Sequence, residues 1–158
     1  MFGAYTILAK DRLIVEYHSD EIAVSDFMES RKIISSDKDY SPDYDLVLDF
    51  RDVIMIASRE DIDQFARFFK GFDPILGKRK SAYLTSIPNH VVVTTLFSSE
   101  IRGSSITPRT FSTVGALVRW LHKKNLDRMV LNGIIDELKT RPNMLYTHGL
   151  TPEKNLHS

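Results

Sequence analysis

Tyr44-Asp45-Leu46-Val47-Leu48-Asp49-Phe50-Arg51 is the stretch on which the fold turns. Its centre is apolar at consecutive rather than alternate positions, which is the mark of a strand buried from both faces. Before it, Ser-Asp-Lys-Asp-Tyr-Ser-Pro-Asp at 36–43 reads as a polar loop ended by Pro42. After it, Ser58 opens a helix with Asp61 three residues on, the spacing of a capping box. Ile62, Phe65, Ala66 and Phe69 give that helix one apolar stripe, and Gly71 is its expected stop.

Outward from this centre the chain alternates strand and helix. Residues 4–9 and 12–18 are short alternating runs joined at Lys10-Asp11, which predicts an antiparallel hairpin. A helix is expected over 22–35. Ser81–Ser86 reads as a strand. Residues 88–101 read as a helix in spite of the β-branched run Val91-Val92-Val93-Thr94-Thr95, because Pro88 suits a helix start and Gly103 closes it. Ile106–Phe111 is a last strand, and Pro108 inside it demands a sheet edge. Ser112 or Thr113 caps a helix containing Val114, Leu117, Val118 and Leu121. A final helix spans 126–139, and a polar tail starts at Pro142. The order β β α β α β α β α α predicts an α/β fold: a mixed, mostly parallel sheet of about five strands with sequentially wound units. The initial hairpin supplies one antiparallel edge strand, and the last helix is an addition at the C-terminus.

The chain has 158 residues with 21 Lys+Arg and 21 Asp+Glu, so its formal charge is zero. The length fits a single ordinary domain. Neutrality argues against a nucleic-acid coat, which needs excess cation. The balance is uneven along the chain: residues 1–75 hold 16 acids and 9 bases, and residues 76–158 hold 5 acids and 12 bases. In a sequentially wound sheet that order becomes spatial, which predicts opposite charge at opposite sides and a charged protein partner or head-to-tail association. There is no cysteine, which removes disulfides, thiolate nucleophiles and Cys-ligated metal. The N-terminus lacks a basic n-region and a long apolar run, so no signal peptide is expected. No stretch is long and apolar enough to span a membrane, and a cytoplasmic location is the expectation.

Few residues speak of chemistry. Asp37-Lys38-Asp39-Tyr40-Ser41-Pro42-Asp43 starts like a calcium loop, but Pro42 stands at its sixth position and Leu48 at its twelfth, so it reads as a turn. His18, His90, His122, His148 and His157 form no i, i+4 pair, so no metal and no cofactor are expected. His18, Asp49, Arg51, Ser86 and Asn89 all fall at strand carboxyl ends, where open α/β sheets bind ligands. They are a candidate crevice, with a plain Asp–Arg pair as the alternative. No nucleophile–base–orienter set emerges, so no enzyme is expected. Trp120 is expected to pack between neighbours, and Phe68 is a candidate interface residue. In the last helix Leu126, Met129, Val130, Leu131, Ile134, Ile135 and Leu138 spread around most of the circumference. Met129, Ile134 and Leu138 are therefore candidates for a homodimer contact, and Gly133 for close packing.

Two segments carry a family resemblance. One is Asp26-Phe27-Met28-Glu29-Ser30-Arg31 with Asp37–Val53, which resembles a helix followed by a D-x-x-F/Y-x-P-x-Y-D loop and an L-x-D-x-R-x-V strand, with Val47 in the place of the leucine. The other is Thr110-Phe111-Ser112-Thr113-Val114-Gly115-Ala116-Leu117-Val118-Arg119-Trp120-Leu121. Together they resemble the STAS-like family of small bacterial proteins related to anti-sigma-factor antagonists (SpoIIAA-like). The resemblance spans residues 1–122 in element order. Residues 123–158 lie outside it, as a helix and tail packed on the same domain or on a dimer mate. It implies sequentially wound units with helices largely on one face. In phospho-switched members a serine opens the helix after the central strand, within an Asp-Ser-Ser-Gly turn. Here the place is Ile56-Ala57-Ser58-Arg59, which keeps only Ser58. Ser58 is thus a candidate phospho-switch, with a simple N-cap as the alternative. The function implied is a non-enzymatic regulatory or protein-interaction domain. The alternative is a carrier or sensor of a small or lipid-like ligand.

Overall fold

The computed structural model describes residues 1–72 and 77–147. The chain opens with an antiparallel pair, β1 (Phe2–Leu8) and β2 (Leu13–Ala23). Leu8 pairs with Leu13, so the connection is four residues rather than the two expected at Lys10-Asp11. Ala9–Asp11 makes one 3-10 turn, and Arg12 takes the left-handed position, φ 50°, that glycine usually fills.

Three crossovers follow: α1 (Val24–Ser35) to β3 (Asp45–Ile56), α2 (Arg59–Gly71) to β4 (Arg79–Leu84), and α3 (Pro88–Glu100) to β5 (Ile106–Phe111). All are parallel, and the sheet runs β1-β2-β3-β4-β5. Every crossover steps in the same direction, so with one handedness all three connecting helices fall on one face. Their apolar sides pack there on Tyr5, Ile14, Leu46, Leu48, Phe50 and Tyr83. The chain then returns across the opposite face through α4 (Val114–Leu121) and α5 (Arg128–Lys139). These cover Leu13, Val15, Val47, Ala82 and Leu84. Helices therefore cover both faces, where the family resemblance implied largely one. That is why β3 reads apolar on both sides.

Local chemistry explains the elements. Pro88 sits in the first turn of α3, the β-branched run is helical, and Thr94 places its hydroxyl on the His90 carbonyl at 2.9 Å, as a threonine inside a helix can. Thr113 caps α4 and Asp127 caps α5 through side-chain oxygens. β5 is an edge strand, as Pro108 requires. β2 and β3 continue past a bulge at Tyr17/Ser19, so both run longer than their alternation suggested.

The outer edge of β1 is not bare. Met144 N–H donates to the Gly3 carbonyl at 2.8 Å, and Gly3 N–H donates to Asn143 Oδ1 at 3.1 Å. Residues 141–147 thus strap the edge and insert Leu145 and Tyr146 into the core, which corrects the polar tail expected from Pro142. A Cβ on Gly3 would stand 2.7 Å from the Tyr146 ring, so glycine is required there. His148 and His157 lie outside the described residues.

The last helix also departs from expectation. Leu138 is fully buried against the sheet, and Ile134 is half-buried on the same core. Neither is a surface contact, and α5 is seated on its own chain, along β1 and β2. Met129 does face out, at 82% exposure. Phe68 is only part-exposed, stacked on Phe72 with Lys32 over its ring. Trp120 packs on Phe111. Gly133 is exposed and a Cβ there meets nothing within 4 Å, so no close packing explains it. Gly133→Ala is accordingly expected to stabilise the fold by about 0.5–1 kcal/mol, read as a higher urea midpoint at unchanged m-value.

Candidate functional site

Strand parity decides which side chains meet. Tyr17 stands beside Asp49 in the β2–β3 register, so these two share the α4–α5 face and His18 points to the other. Asp49 is buried and clamped by Arg51, whose Nη2 donates to Oδ2 at 2.7 Å and Nε to Oδ1 at 3.0 Å. Ser86 and Asn89 are exposed at the start of α3. The five residues of the expected crevice are therefore not brought together; Asp49 and Arg51 form the plain ion pair.

His18 belongs to a buried network that sequence reasoning missed. Arg31 of α1 grips Glu16 of β2 with both terminal nitrogens, Nη1 to Oε1 at 2.7 Å and Nη2 to Oε2. His18 Nε2 lies 2.9 Å from Glu16 Oε2, and His18 Nδ1 lies 2.9 Å from the Tyr146 hydroxyl. Burial alone would raise the Glu16 carboxyl, but the Arg31 charge and hydrogen bonds from His18 and Arg31 outweigh it and hold Glu16 well below the usual carboxylate range. Burial pushes His18 down against the opposing pull of Glu16, so the ring is neutral. An ionised Glu16 only accepts, hence Nε2 carries the hydrogen and Nδ1 accepts from Tyr146. Burial in turn raises the Tyr146 phenol, which stays a donor. The signal was available. Glu16 sits in Leu13-Ile14-Val15-Glu16-Tyr17-His18, an apolar run that leaves a charge nowhere to go but a partner.

Arg31 also walls a cavity. About 80 Å³ lies open between the sheet and the three helices α1, α2 and α3. Its lining is almost wholly apolar, with Phe27, Phe50, Phe65, Phe69 and Phe97 at its centre. At one end stand Ala23, Val24, Val53 and Met55, at the carboxyl ends of β2 and β3. Toward the other stand Arg31, Arg79 and Ser81.

Ser58 is an exposed N-cap. Its hydroxyl accepts from Asp61 N–H at 3.1 Å, and Asp61 Oδ2 takes back the Ser58 backbone N–H at 2.8 Å. The reciprocal box is complete, and those bonds from Ser58 lower the Asp61 carboxyl. The acidic loop is similarly occupied: Asp37 accepts from Asp39 N–H and the Tyr5 hydroxyl, and Asp43 from Lys78 N–H. Among the described residues no cluster of metal-ligating side chains occurs, and no helix is long and apolar enough to cross a membrane.

Compared with known proteins, the chain matches no family model, no curated protein and no solved structure.

The two buried histidines set an acid limit. Burial lowers His18, and it lowers His90 too, at the N-terminal turn of α3 with Thr85 Oγ1 at 2.9 Å. In the unfolded chain each takes a proton below about pH 6.5, while in the fold each resists. The unfolded state then binds more protons, so stability falls as pH drops from about 6.5 toward 5, with a limiting slope of about 1.4 kcal/mol per pH unit per histidine. His18→Gln keeps a donor toward Glu16 and is expected to flatten that slope by up to half in denaturant titrations at stepped pH. An unchanged slope would show that His18 titrates alike in both states.

Proposed function

We propose that the chain is a non-enzymatic sensor or carrier domain that encloses one small apolar or lipid-like molecule under α1, α2 and α3. The cavity carries this reading. About 80 Å³ of apolar space, partly open to the outside, is left unfilled there, whereas native interiors leave few voids larger than a water. Apolar lining keeps such a space dry and receptive to an apolar guest. The non-enzymatic part rests on the polar network, where Glu16, Arg31, His18 and Tyr146 are mutually engaged inside the core. Regulation by the guest accords with the resemblance of residues 26–53 and 110–121 to STAS-like regulators. Toluene is expected to raise the melting temperature of the wild-type chain and to show saturable binding by NMR. Val93→Phe fills the space from α3 and abolishes both effects. No shift with wild-type protein defeats the proposal.

A second reading, a charged protein partner, is favoured by where the charges fall. Strand order converts chain order to spatial order, so Lys78, Arg79, Lys80, Arg102 and Arg109 gather at the β4–β5 side with Glu100 as the single acid of residues 76–111. Among the described residues, ion pairs cross from one half of the chain to the other at Lys123–Asp45 (2.9 Å), Arg59–Glu100 (3.2 Å) and Lys139–Asp52 (3.8 Å). They neutralise part of the separation and leave the exposed Lys78, Arg102 and Arg109 outward. Association through this side, with a second copy or an acidic partner, weakens as salt rises. Light scattering that gives the same mass at 50 mM and 500 mM salt across protein concentrations would count against self-association by charge.

A further inference from the structure

The floor of the cavity is not apolar throughout. Arg79, Ser81 and Tyr83 alternate along β4 and so point to one face, all three into the cavity wall. Ser81 is 2% exposed and Tyr83 7%. Among the described residues neither hydroxyl has a hydrogen-bond partner, although the cavity they line is otherwise greasy. Among the described residues neither hydroxyl is a sealed, unsatisfied group, so both remain reachable from the cavity and free to bond with whatever occupies it. Here both look onto the same space. They stand beside Leu46 and Leu48 of β3, since Ser81 pairs with Leu46 and Tyr83 with Leu48. Two guanidinium groups share that part of the wall: Arg31, held by Glu16, and Arg79, which reaches Tyr40 and is held by contacts of its own.

We propose that the guest is a short amphipathic acid, its carboxyl oxygens taking hydrogen bonds from Ser81 and Tyr83 and its apolar arm lying among the phenylalanines toward Val53 and Met55. This rests on the cavity being a ligand site at all. The donors suit the head: a carboxylate only accepts, and serine and tyrosine hydroxyls both donate. The wall suits its charge, because a carboxylate leaves water at tolerable cost only near cations or several donors. The volume sets the length. A water needs about 10–15 Å³ of such space, so the cavity holds the equivalent of about six waters, and its open side leaves room for a short acid of a few atoms more. Octanoate has that size and is the probe.

The experiment compares octanoate with toluene on the wild-type chain, Ser81→Ala, Tyr83→Phe and the double variant, by calorimetry and ligand-observed NMR. Octanoate is expected to bind wild-type protein and to lose about tenfold in affinity with each hydroxyl removed. Toluene is expected to bind all four alike. Removing an unpartnered buried hydroxyl costs the empty fold nothing, so both single variants are expected to melt at or above the wild-type temperature. If toluene binds but octanoate does not, or octanoate is indifferent to the two hydroxyls, the carboxylate head is overturned and the apolar site stands. If neither probe binds, the site itself is overturned. Variants that melt well below wild type would show the hydroxyls to be structural and likewise overturn the assignment.

Discussion

Up to the bulge at Tyr17/Ser19, β2 and β3 are covered on both faces, and the polar groups buried there must be answered from within the protein. Water is not an option for Glu16, His18 or Asp49, each fully buried. Breaking one side of such a buried ion pair costs about 3–5 kcal/mol, whereas the pair itself adds little net stability over an apolar replacement. Its effect is on arrangement. Glu16 can be satisfied only if α1 brings Arg31 over the sheet, and His18 only if Glu16 lies on one side and Tyr146 on the other. One strand's polar residues thus specify the seat of a helix and the docking of the segment that follows α5.

The same constraint explains what the sequence disclosed and what it hid. Element order was legible because each element is announced locally: Pro88 and Gly103 bracket α3, Ser58 and Asp61 open α2, and Pro108 banishes β5 to an edge. The ends of β2 and β3 were not. Past Ser19 the two strands pair only with each other, through residues such as Asp20 and Glu21 that carry no strand signature. The candidate crevice failed for a related reason. The sequence puts His18, Asp49 and Arg51 at strand carboxyl ends, but they stand mid-strand, because β2 and β3 run on past them; and position along a strand says nothing of the face, since a shift of one residue in register exchanges the faces. Only the pairing of Tyr17 with Asp49 reveals that His18 and Asp49 lie back to back. Leu145 and Tyr146 were read as tail because two apolar residues have no period, and what buries them is the unpaired edge of β1.

The cavity has a physical origin in the residues chosen to wall it. Phe27 contacts Phe50 at 5.6 Å and Phe65 at 5.4 Å, and Phe65 contacts Phe97 at 4.8 Å between ring centres. Rings packed edge to face and at tilts brace one another. A flexible chain such as methionine would fold into the gap, whereas this chain of rings spans it from α1 through α2 to α3 and holds it open. Below it, β4 contributes Ser81 at the position where leucine or valine would close the floor.

Arg31 joins these two features. Its guanidinium lies 4.4 Å from the centre of the Phe27 ring, on the cavity wall, while its nitrogens hold Glu16. From there the hydrogen bonds continue through His18 to Tyr146, and the backbone beside Tyr146 binds Gly3 on the outer edge of β1. An unbroken set of contacts thus runs from the cavity wall to the strap on the outer edge of β1. Each link is of a kind that does not deform by degrees. A bidentate ion pair or a neutral imidazole between one donor and one acceptor is either made or lost. The strap closes over β1 only with Gly3, because any side chain there meets the Tyr146 ring. The glycine at one edge of the sheet and the charge at its centre are therefore parts of one arrangement, in which the Phe-lined wall, α1 and the segment after α5 take their places together.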